Sequence, residues 1–202
     1  LALLEERNAR INLTRVPPAD VIPLLLADAL GVLAVLAPSR ELTVLDIGTG
    51  AGFPGVPLKL ARPDFDLTLL DATKKKLDFL DDAISALGLT RVRTLHARAE
   101  SCGHDPTLRE SFDLVTAKAV ADMTVLAEYC LPFVRVGGSA AALKTDAADE
   151  EIDRARASIE TLGGRVARSV AVAIPGTDIV RCVVVLEKVK RTPERFPRTE
   201  RD

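Results

Sequence analysis

Cysteine and histidine are scarce in this 202-residue chain, which contains three cysteines and two histidines. Cys102, Cys130 and Cys182 lie far apart without a C-x-x-C pair, so the sequence predicts neither a disulfide framework nor a zinc site. His96 and His104 flank Cys102, but the paired spacing typical of metal ligands is missing. We therefore expect reduced thiols, a cytoplasmic location and no bound metal.

An excess of positive charge is also lacking, since 27 lysines and arginines face 29 aspartates and glutamates and give a net charge of −2. Any contact with a nucleic acid must therefore come from a local basic patch. Hydrophobic residues make up 48% and charged residues 28%, which is typical of a globular protein and not of a disordered one. The length suits one α/β domain.

Long uncharged apolar runs are missing as well. The most apolar segment, residues 21–37, contains Pro23 and Asp28, and no uncharged part of it reaches the roughly 18 to 20 residues that a membrane-spanning helix needs. It predicts a buried helix and no membrane contact. No basic region with a cleavage site precedes it, so secretion is not indicated. The chain begins at Leu1 and not at methionine, and we expect that an N-terminal segment is missing.

The most informative stretch is residues 42–57, which read L-T-V-L-D-I-G-T-G-A-G-F-P-G-V-P. Its aliphatic start, closed by Asp46, predicts a buried parallel strand that ends at a ligand crevice. The alternating Gly48, Gly50 and Gly52 allow positive φ and a close approach of a ligand to the main chain. A strand, a glycine turn and a helix start together indicate a nucleotide-type site at the end of the first strand.

Two ligand classes use such a turn. Residues 50–55 satisfy the dinucleotide pattern G-x-G-x-x-G, and Asp71 follows Gly50 by 21 residues, where an acid can bind ribose hydroxyls. The phrase D-x-G-x-G-x-G that begins at Asp46, however, resembles motif I of class I S-adenosylmethionine-dependent methyltransferases. We favour the methyltransferase and keep the dinucleotide enzyme as the alternative.

The rest of the chain alternates between strand and helix patterns, which predicts a mainly parallel, doubly wound sheet. The final two strands are joined by only Pro175 to Asp178, so they must form an antiparallel hairpin. We therefore expect an α/β, Rossmann-like class I methyltransferase fold with seven strands. The predicted strands after the first are 67–71, 92–96, 112–118, 139–144, 165–174 and 179–187, and the predicted helices are 72–87, 121–134 and 147–162.

Three regions follow from this pattern: an N-terminal helical extension over residues 1–38, a methyltransferase domain over 39–188 and a basic C-terminal tail over 189–202. From Lys188 to Asp202 the chain carries six basic and three acidic residues. The tail is either solvated or an RNA contact.

Several phrases of the chain match one family. They span nearly the whole chain and are residues 12–14, 45–59, 70–76, 98–100 and 143–144, with Arg181 in the last strand. Together they resemble the bacterial small-subunit ribosomal RNA guanine-N7 methyltransferases, also called glucose-inhibited division protein B. The resemblance implies methyl transfer from S-adenosylmethionine to N7 of a guanine in 16S rRNA of the small ribosomal subunit.

Carried over residue by residue, the resemblance implies two groups of site residues. Asp71 would bind the ribose hydroxyls, Ala99 and Glu100 would lie beside the adenine, and Arg98 would brace the site through a charged pair. The cofactor-binding group is Asp46, Gly48, Thr49, Gly50, Gly52, Phe53, Asp71, Ala72, Arg98, Ala99, Glu100 and Lys118. The catalytic and RNA-facing group is Lys118, Lys144 and Arg181.

The sequence departs from the family in two places. Lys118 stands where the family usually has arginine, and an ammonium does not reproduce the bidentate fork of a guanidinium. Leu25 to Leu30 keeps the aspartate of the family's H-F-x-D-S-L phrase and loses its histidine and serine.

The groups that other nucleic-acid methyltransferases use are missing. Guanine N7 has a lone pair and no proton to remove, so its methylation needs positioning more than a general base. Residues 116–119 read T-A-K-A where an exocyclic-amine enzyme has an N-P-P-Y type tetrad, and Cys130 is expected in the core and not as a nucleophile. We expect a monomer, and two alternatives stay open: a small-molecule methyltransferase and a cofactor-binding rRNA chaperone with little turnover.

Overall fold

A computed structural model describes residues 1–118, 120–144 and 148–198. Within these ranges the chain forms seven strands and seven α-helices. Some of the predicted features lie outside these ranges: Ala119 of the tetrad position, Ala147 at a helix start, and residues 199–202 of the tail.

The strands are β1 (Thr43–Ile47), β2 (Asp66–Asp71), β3 (Val92–His96), β4 (Phe112–Lys118), β5 (Val134–Lys144), β6 (Gly164–Ala173) and β7 (Val180–Lys188). The helices are α1 (Ala2–Ile11), α2 (Asp28–Leu36), α3 (Gly55–Ala61), α4 (Lys74–Ala86), α5 (Ala99–Cys102), α6 (Met123–Cys130) and α7 (Ala148–Thr161).

One sheet contains all seven strands, in the order β3-β2-β1-β4-β5-β7-β6. Strands β1 to β5 run parallel to one another, β7 is antiparallel to β5, and β6 is antiparallel to β7. The predicted parallel sheet with a C-terminal hairpin is confirmed. The strand order reverses between β1 and β4, and in open α/β sheets ligands bind at the carboxyl ends of the strands at such a switch point.

Helices cover both faces of the sheet because its central strands are apolar on both sides. One core includes Leu45, Val115 and Ala142 and is closed by α5, α6 and α7. The other includes Val44, Leu114 and side chains of α3, α4 and the N-terminal segment. Cys130 is 1% exposed in the first core, as predicted, and burial raises the pKa of its thiol.

The apolar segment before β1 is not one regular helix. Pro18–Asp20 forms a 3-10 turn and Ile22–Ala27 a π-helix, before α2 begins. Pro23 has no N–H to donate, which interrupts the regular hydrogen-bond ladder. By length and composition, Pro18–Leu36 is a helix that could cross a membrane, with a mean hydropathy of 2.1 and 35% of it buried. The prediction of a buried helix is thus half right: Val21 and Leu25 are buried, whereas Ile22 is 53% exposed.

The described part of the C-terminal tail packs on the domain. The main-chain N–H groups of Val189 and Lys190 donate to the carbonyl of Gly163. Lys188 is completely buried, and its ammonium donates to the carbonyl of Leu131 and to the hydroxyl of Thr192. Residues 189–198 therefore pack on the domain through Thr192, Phe196 and Pro197, while their other side chains are exposed to solvent.

Candidate functional site

The glycine turn lies at the carboxyl end of β1 and has the predicted conformation. Gly48, Gly50 and Gly52 have φ values of 64°, 58° and 92°. A Cβ on Gly48 would lie 2.9 Å from a methyl carbon of Val120, so a side chain here would meet the far wall of the crevice. The turn thus brings bare main chain to the crevice, which a bound ligand can approach closely.

Asp46 lies beneath this turn and is fully buried. Its Oδ2 accepts hydrogen bonds from the Thr49 hydroxyl at 2.6 Å and from the Gly55 N–H at 3.0 Å. Its Oδ1 accepts one from the Thr116 hydroxyl on β4 at 2.8 Å. Asp46 and Thr49, both predicted to bind the cofactor, are therefore placed to hold the turn, the start of α3 and β4 together from below.

The buried carboxyl of Asp46 leads to a prediction about stability and pH. Burial raises its pKa to about 6, although the hydrogen bonds from Thr49, Thr116 and Gly55 act in the opposite direction. Because an aspartate in the unfolded chain titrates near pH 4, the folded state binds more protons between roughly pH 4 and 6, and its stability falls as pH rises through this window. The loss is about 2 to 3 kcal/mol from this group.

An Asp46→Asn variant lacks this titration and tests the prediction. We measure the free energy of unfolding of both proteins in urea from pH 4 to pH 8. As pH rises, the parent should lose about 2 kcal/mol of this free energy relative to the variant. A difference that does not change with pH would contradict the assignment.

Asp71, at the end of β2, faces the turn. Its Oδ2 accepts a hydrogen bond from the Gly50 N–H at 2.9 Å, and its Oδ1 accepts one from the Thr73 N–H at 2.8 Å. The ammonium of Lys76 lies 4.0 Å from Oδ2. The Asp71 side chain is 8% exposed, and its carboxylate still has lone pairs for a ligand, so it both fixes the turn and contributes an acceptor to the crevice.

A cavity of about 160 Å³ opens between the ends of β1, β2 and β3. Its lining includes six residues that were predicted from the sequence to bind the cofactor and five that were not. Of these five, Ile47, Leu70 and Ala97 lie at or beside the ends of β1, β2 and β3, and the other two are Val120 and Tyr129. These two come from the segment after β4 and from α6, where no glycine, charge or spacing marks them. The lining residues are Ile47, Gly48, Leu70, Asp71, Ala72, Ala97, Arg98, Ala99, Glu100, Val120 and Tyr129.

Arg98 and Glu100 form the charged pair expected at this site. The guanidinium Nη1 lies 3.6 Å from the Glu100 carboxylate, and the arginine side chain is 60% exposed whereas that of Glu100 is 10% exposed. The pair is open to solvent on one side, so its contribution to stability is small. Its effect is to orient the Glu100 carboxylate at the rim of the cavity.

Phe53, also predicted near the cofactor, points elsewhere. It lines a separate apolar groove of about 280 Å³ between α1, α3 and α4, together with Leu4, Leu26 and Phe79. Gly52 is buried against Val56 and Leu80 on the same side of the turn.

The three predicted cations do not share one face of the sheet. Lys118 pairs with Leu143 in the β4–β5 register, whereas the adjacent Lys144 pairs with Cys182 in the β5–β7 register. Because neighbouring residues of a strand point to opposite faces, Lys118 and Lys144 point to opposite sides. Arg181 follows the same rule and lies on the side of Lys118.

Each of the two lysines contacts a different part of the fold. The Lys118 ammonium donates to the carbonyl of Leu24 in the π-helix at 2.9 Å. The Lys144 ammonium donates to the carbonyl of Ala121 at 2.7 Å and to the Glu151 carboxylate at 2.6 Å. Lys144 therefore joins β5 to α7 and to the start of α6, while Lys118 joins β4 to the N-terminal segment.

Metal ligands do not converge in the described ranges, where no group of three His, Cys, Asp or Glu residues is close enough to hold an ion. His96 contacts the carbonyl of Ala72, and His104 contacts that of Pro197.

Comparison with known proteins shows the family. Residues 1–180 match the GidB family, described as rRNA small subunit methyltransferase G. A "Ribosomal RNA small subunit methyltransferase G" of Lactobacillus delbrueckii subsp. bulgaricus is 44% identical over 201 residues, which are 95% of this chain and 81% of that protein. The protein of the same name from Clostridium perfringens is 41% identical over 197 residues, 97% of this chain and 82% of that protein.

Solved structures with the same fold include methyltransferases. A "SAM dependent methyltransferase" from Aquifex aeolicus superposes with a TM-score of 0.59 at 20% identity, covering 84% of this chain and 93% of that one. TYW2 of M. jannaschii, solved in complex with AdoMet, gives a TM-score of 0.60 at 17% identity, covering 80% and 77%. These likenesses show the fold alone, and together with the family match they lead to one conclusion: the chain is a class I methyltransferase and belongs to the rRNA small subunit methyltransferase G family.

Proposed function

We propose that this protein transfers the methyl group of S-adenosylmethionine to N7 of a guanine in 16S rRNA of the small ribosomal subunit. The observation that carries the proposal is the crevice at the switch point, where a bare glycine turn faces Asp71 and Glu100 in a chain of this family. We place the reaction in the cytoplasm, where ribosomal subunits are found.

The residues present fit S-adenosylmethionine. Gly48 packs closely against Val120, whereas a Cβ on Gly50 would have only the Gly48 carbonyl oxygen within 4 Å, so the main chain at Gly50 is open to a ligand. Asp71 presents carboxylate oxygens that suit ribose hydroxyls, and Val120, Ala99 and Tyr129 provide apolar surface for a purine ring. When bound, S-adenosylmethionine supplies a methyl group on a positively charged sulfur.

The chain's own part in the reaction is to hold and orient the reactants. Guanine N7 attacks through a lone pair and loses no proton, so positioning contributes more than proton transfer. The acids of the crevice are already engaged: Asp71 accepts from the N–H groups of Gly50 and Thr73, and Glu100 pairs with Arg98. This arrangement suits an enzyme that needs no general base.

Lys118 is proposed to hold the RNA at the acceptor side, because β4 ends at the switch point beside the glycine turn. We predict that Lys118→Ala lowers kcat/KM for the RNA by about 10-fold, while the Kd for S-adenosylmethionine stays within about twofold. Lys118→Arg should keep most of the activity, since arginine retains the charge and is the usual residue of the family. Steady-state kinetics and calorimetry on the three proteins check this, and an unchanged kcat/KM in Lys118→Ala would exclude the role.

Transfer of labelled methyl groups tests the substrate class. Small subunits and naked 16S rRNA from cells that lack the endogenous enzyme are incubated with the protein and labelled S-adenosylmethionine. We expect label in the RNA of at least one of the two substrates. Tight binding of S-adenosylmethionine with no label in either would contradict the proposal and favour a small-molecule substrate or a chaperone.

A further inference from the structure

The end of the described chain contacts the helix that forms one wall of the crevice. Pro197 packs so closely on Gly103, directly after α5, that a Cβ on Gly103 would lie 2.7 Å from the Pro197 ring. The carbonyl of Pro197 is 2.8 Å from Nε2 of His104. Arg109 donates at 2.8 Å both to the carbonyl of Gly103 and to that of Phe196. The tail thus makes three neighbouring contacts with the residues at the end of α5.

The same segment is bound to α6 through hydrogen bonds from Arg198 to Glu128. The main-chain N–H of Arg198 donates to Glu128 Oε1 at 2.6 Å, and its guanidinium donates to Oε2 through Nη2 at 2.6 Å and through Nε at 3.1 Å. The Glu128 side chain is 10% exposed. Burial raises the pKa of this carboxyl, but the hydrogen bonds from Arg198 outweigh burial and keep it below its usual range. The carboxylate therefore stays charged and paired near neutral pH.

These two helices carry one side of the crevice. Ala99 and Glu100 belong to α5, and Tyr129 belongs to α6, next to Glu128 in sequence. Helix α5 has only four residues, too few to be stable without tertiary contacts. Its position relative to α6 must come from tertiary contacts, and the tail contacts both α6 and the two residues that directly follow α5.

We propose that residues 189–198 act as a strap that positions α5 against α6 and thereby shapes the cofactor crevice, with Glu128 and Arg198 as the positioning residues. The inference rests on the proposed binding of S-adenosylmethionine to this crevice. It concerns residues beyond position 180, where the match to the family model ends.

The charges of the tail favour this role over an RNA contact. Arg191 pairs with Glu110 at 2.8 Å and Arg198 with Glu128 at 2.6 Å, so the guanidinium groups of both are held by acids of the domain. Lys188 is completely buried. The side chains of Arg191 and Arg198 are 86% and 61% exposed, but each is paired with a carboxylate of the domain, so a phosphate would have to compete with Glu110 and Glu128 for them.

Affinity for S-adenosylmethionine in the absence of RNA tests the strap. Calorimetry on the full chain compares the parent protein with Arg198→Ala and Glu128→Gln, and with Lys190→Ala as the control. Lys190 is an exposed tail lysine whose side chain makes no hydrogen bond or ion pair with the residues that the structure describes. We expect the Kd to rise by about 5- to 20-fold in the two strap variants and to stay within about twofold in the control.

Hydrogen exchange of α5 and α6 provides the second readout, because a merely destabilised protein would exchange faster throughout. Faster exchange confined to these helices, with unchanged central strands, supports the strap. If Arg198→Ala fails to fold, Glu128→Gln provides the test, because it keeps the size of the side chain.

A Kd equal to that of the parent in both strap variants would overturn the proposal. A raised KM for RNA in Arg198→Ala and Lys190→Ala alike, without a change in Kd for S-adenosylmethionine, would overturn it as well and identify the tail as an RNA contact. If the parent binds S-adenosylmethionine but methylates no RNA, the proposed reaction fails while the strap is still tested.

Discussion

Gly50→Asp is expected to abolish binding of S-adenosylmethionine and to leave the protein folded. Gly50 has φ of 58°, a left-handed conformation that aspartate tolerates better than most residues. A Cβ here would have only the Gly48 carbonyl oxygen within 4 Å, at 3.8 Å, so a side chain fits sterically. The new carboxylate, however, would lie beside that of Asp71, which accepts the Gly50 N–H. It would also repel the carboxylate of S-adenosylmethionine if this turn holds the methionine end of the cofactor, as the family resemblance implies.

The charge effect is large enough to measure by calorimetry. Two like charges about 4 Å apart repel by about 4 kcal/mol at an effective dielectric constant near 20. The Kd should therefore rise by at least about 100-fold. Gly50→Asn is the matched control, because it has the same shape and backbone preference without the charge, and its Kd should rise by less than about 10-fold. Equal affinities in the two variants would show that the turn does not face the cofactor's carboxylate.

Asp71→Asn is expected to weaken binding of S-adenosylmethionine by about 10- to 100-fold, the value of one or two charge-assisted hydrogen bonds. Both carboxylate oxygens of Asp71 accept main-chain N–H groups, and an amide has only one acceptor oxygen. The variant therefore loosens the turn and weakens an acceptor for the ribose at the same time.

The control for Asp71→Asn is Asp66→Asn, which makes the same chemical change at the other end of β2. Asp66 is half exposed, and its nearest cation is Arg91 at 3.9 Å. Calorimetry should give a Kd within about twofold of the parent for this control. If Asp71→Asn behaves like the control, Asp71 does not contact the cofactor.

Local patterns predicted the strands and the turn because their causes are local. The boundaries of β3 and β4 agree with the prediction, since apolar and β-branched residues there are bounded by turn residues. The start of β5 was predicted at residue 139 and lies at Val134, because Gly137 and Gly138 were interpreted as a loop. Gly137 does have φ of 83°, but the strand continues through an irregular register beside β4.

Features that depend on distant contacts were missed. The tail could not be placed from its composition, since Arg198 pairs with a residue 70 positions away and Thr192 with one 82 positions away. Tyr129 reaches the crevice only because α6 packs beside α5. That Lys118 and Lys144 point to opposite faces of the sheet could have been predicted once the strand register is known, because successive residues of a strand alternate between the two faces.

The identity of the methylated nucleoside tests the central claim most directly. Ribosomal RNA labelled by this protein is digested to nucleosides, which are separated and identified by mass, and intact RNA is probed for the strand cleavage that follows reduction of 7-methylguanosine. We predict 7-methylguanosine in 16S rRNA, formed by the parent protein and not by Gly50→Asp. A label in another nucleoside, or in no RNA at all despite bound S-adenosylmethionine, would contradict this prediction.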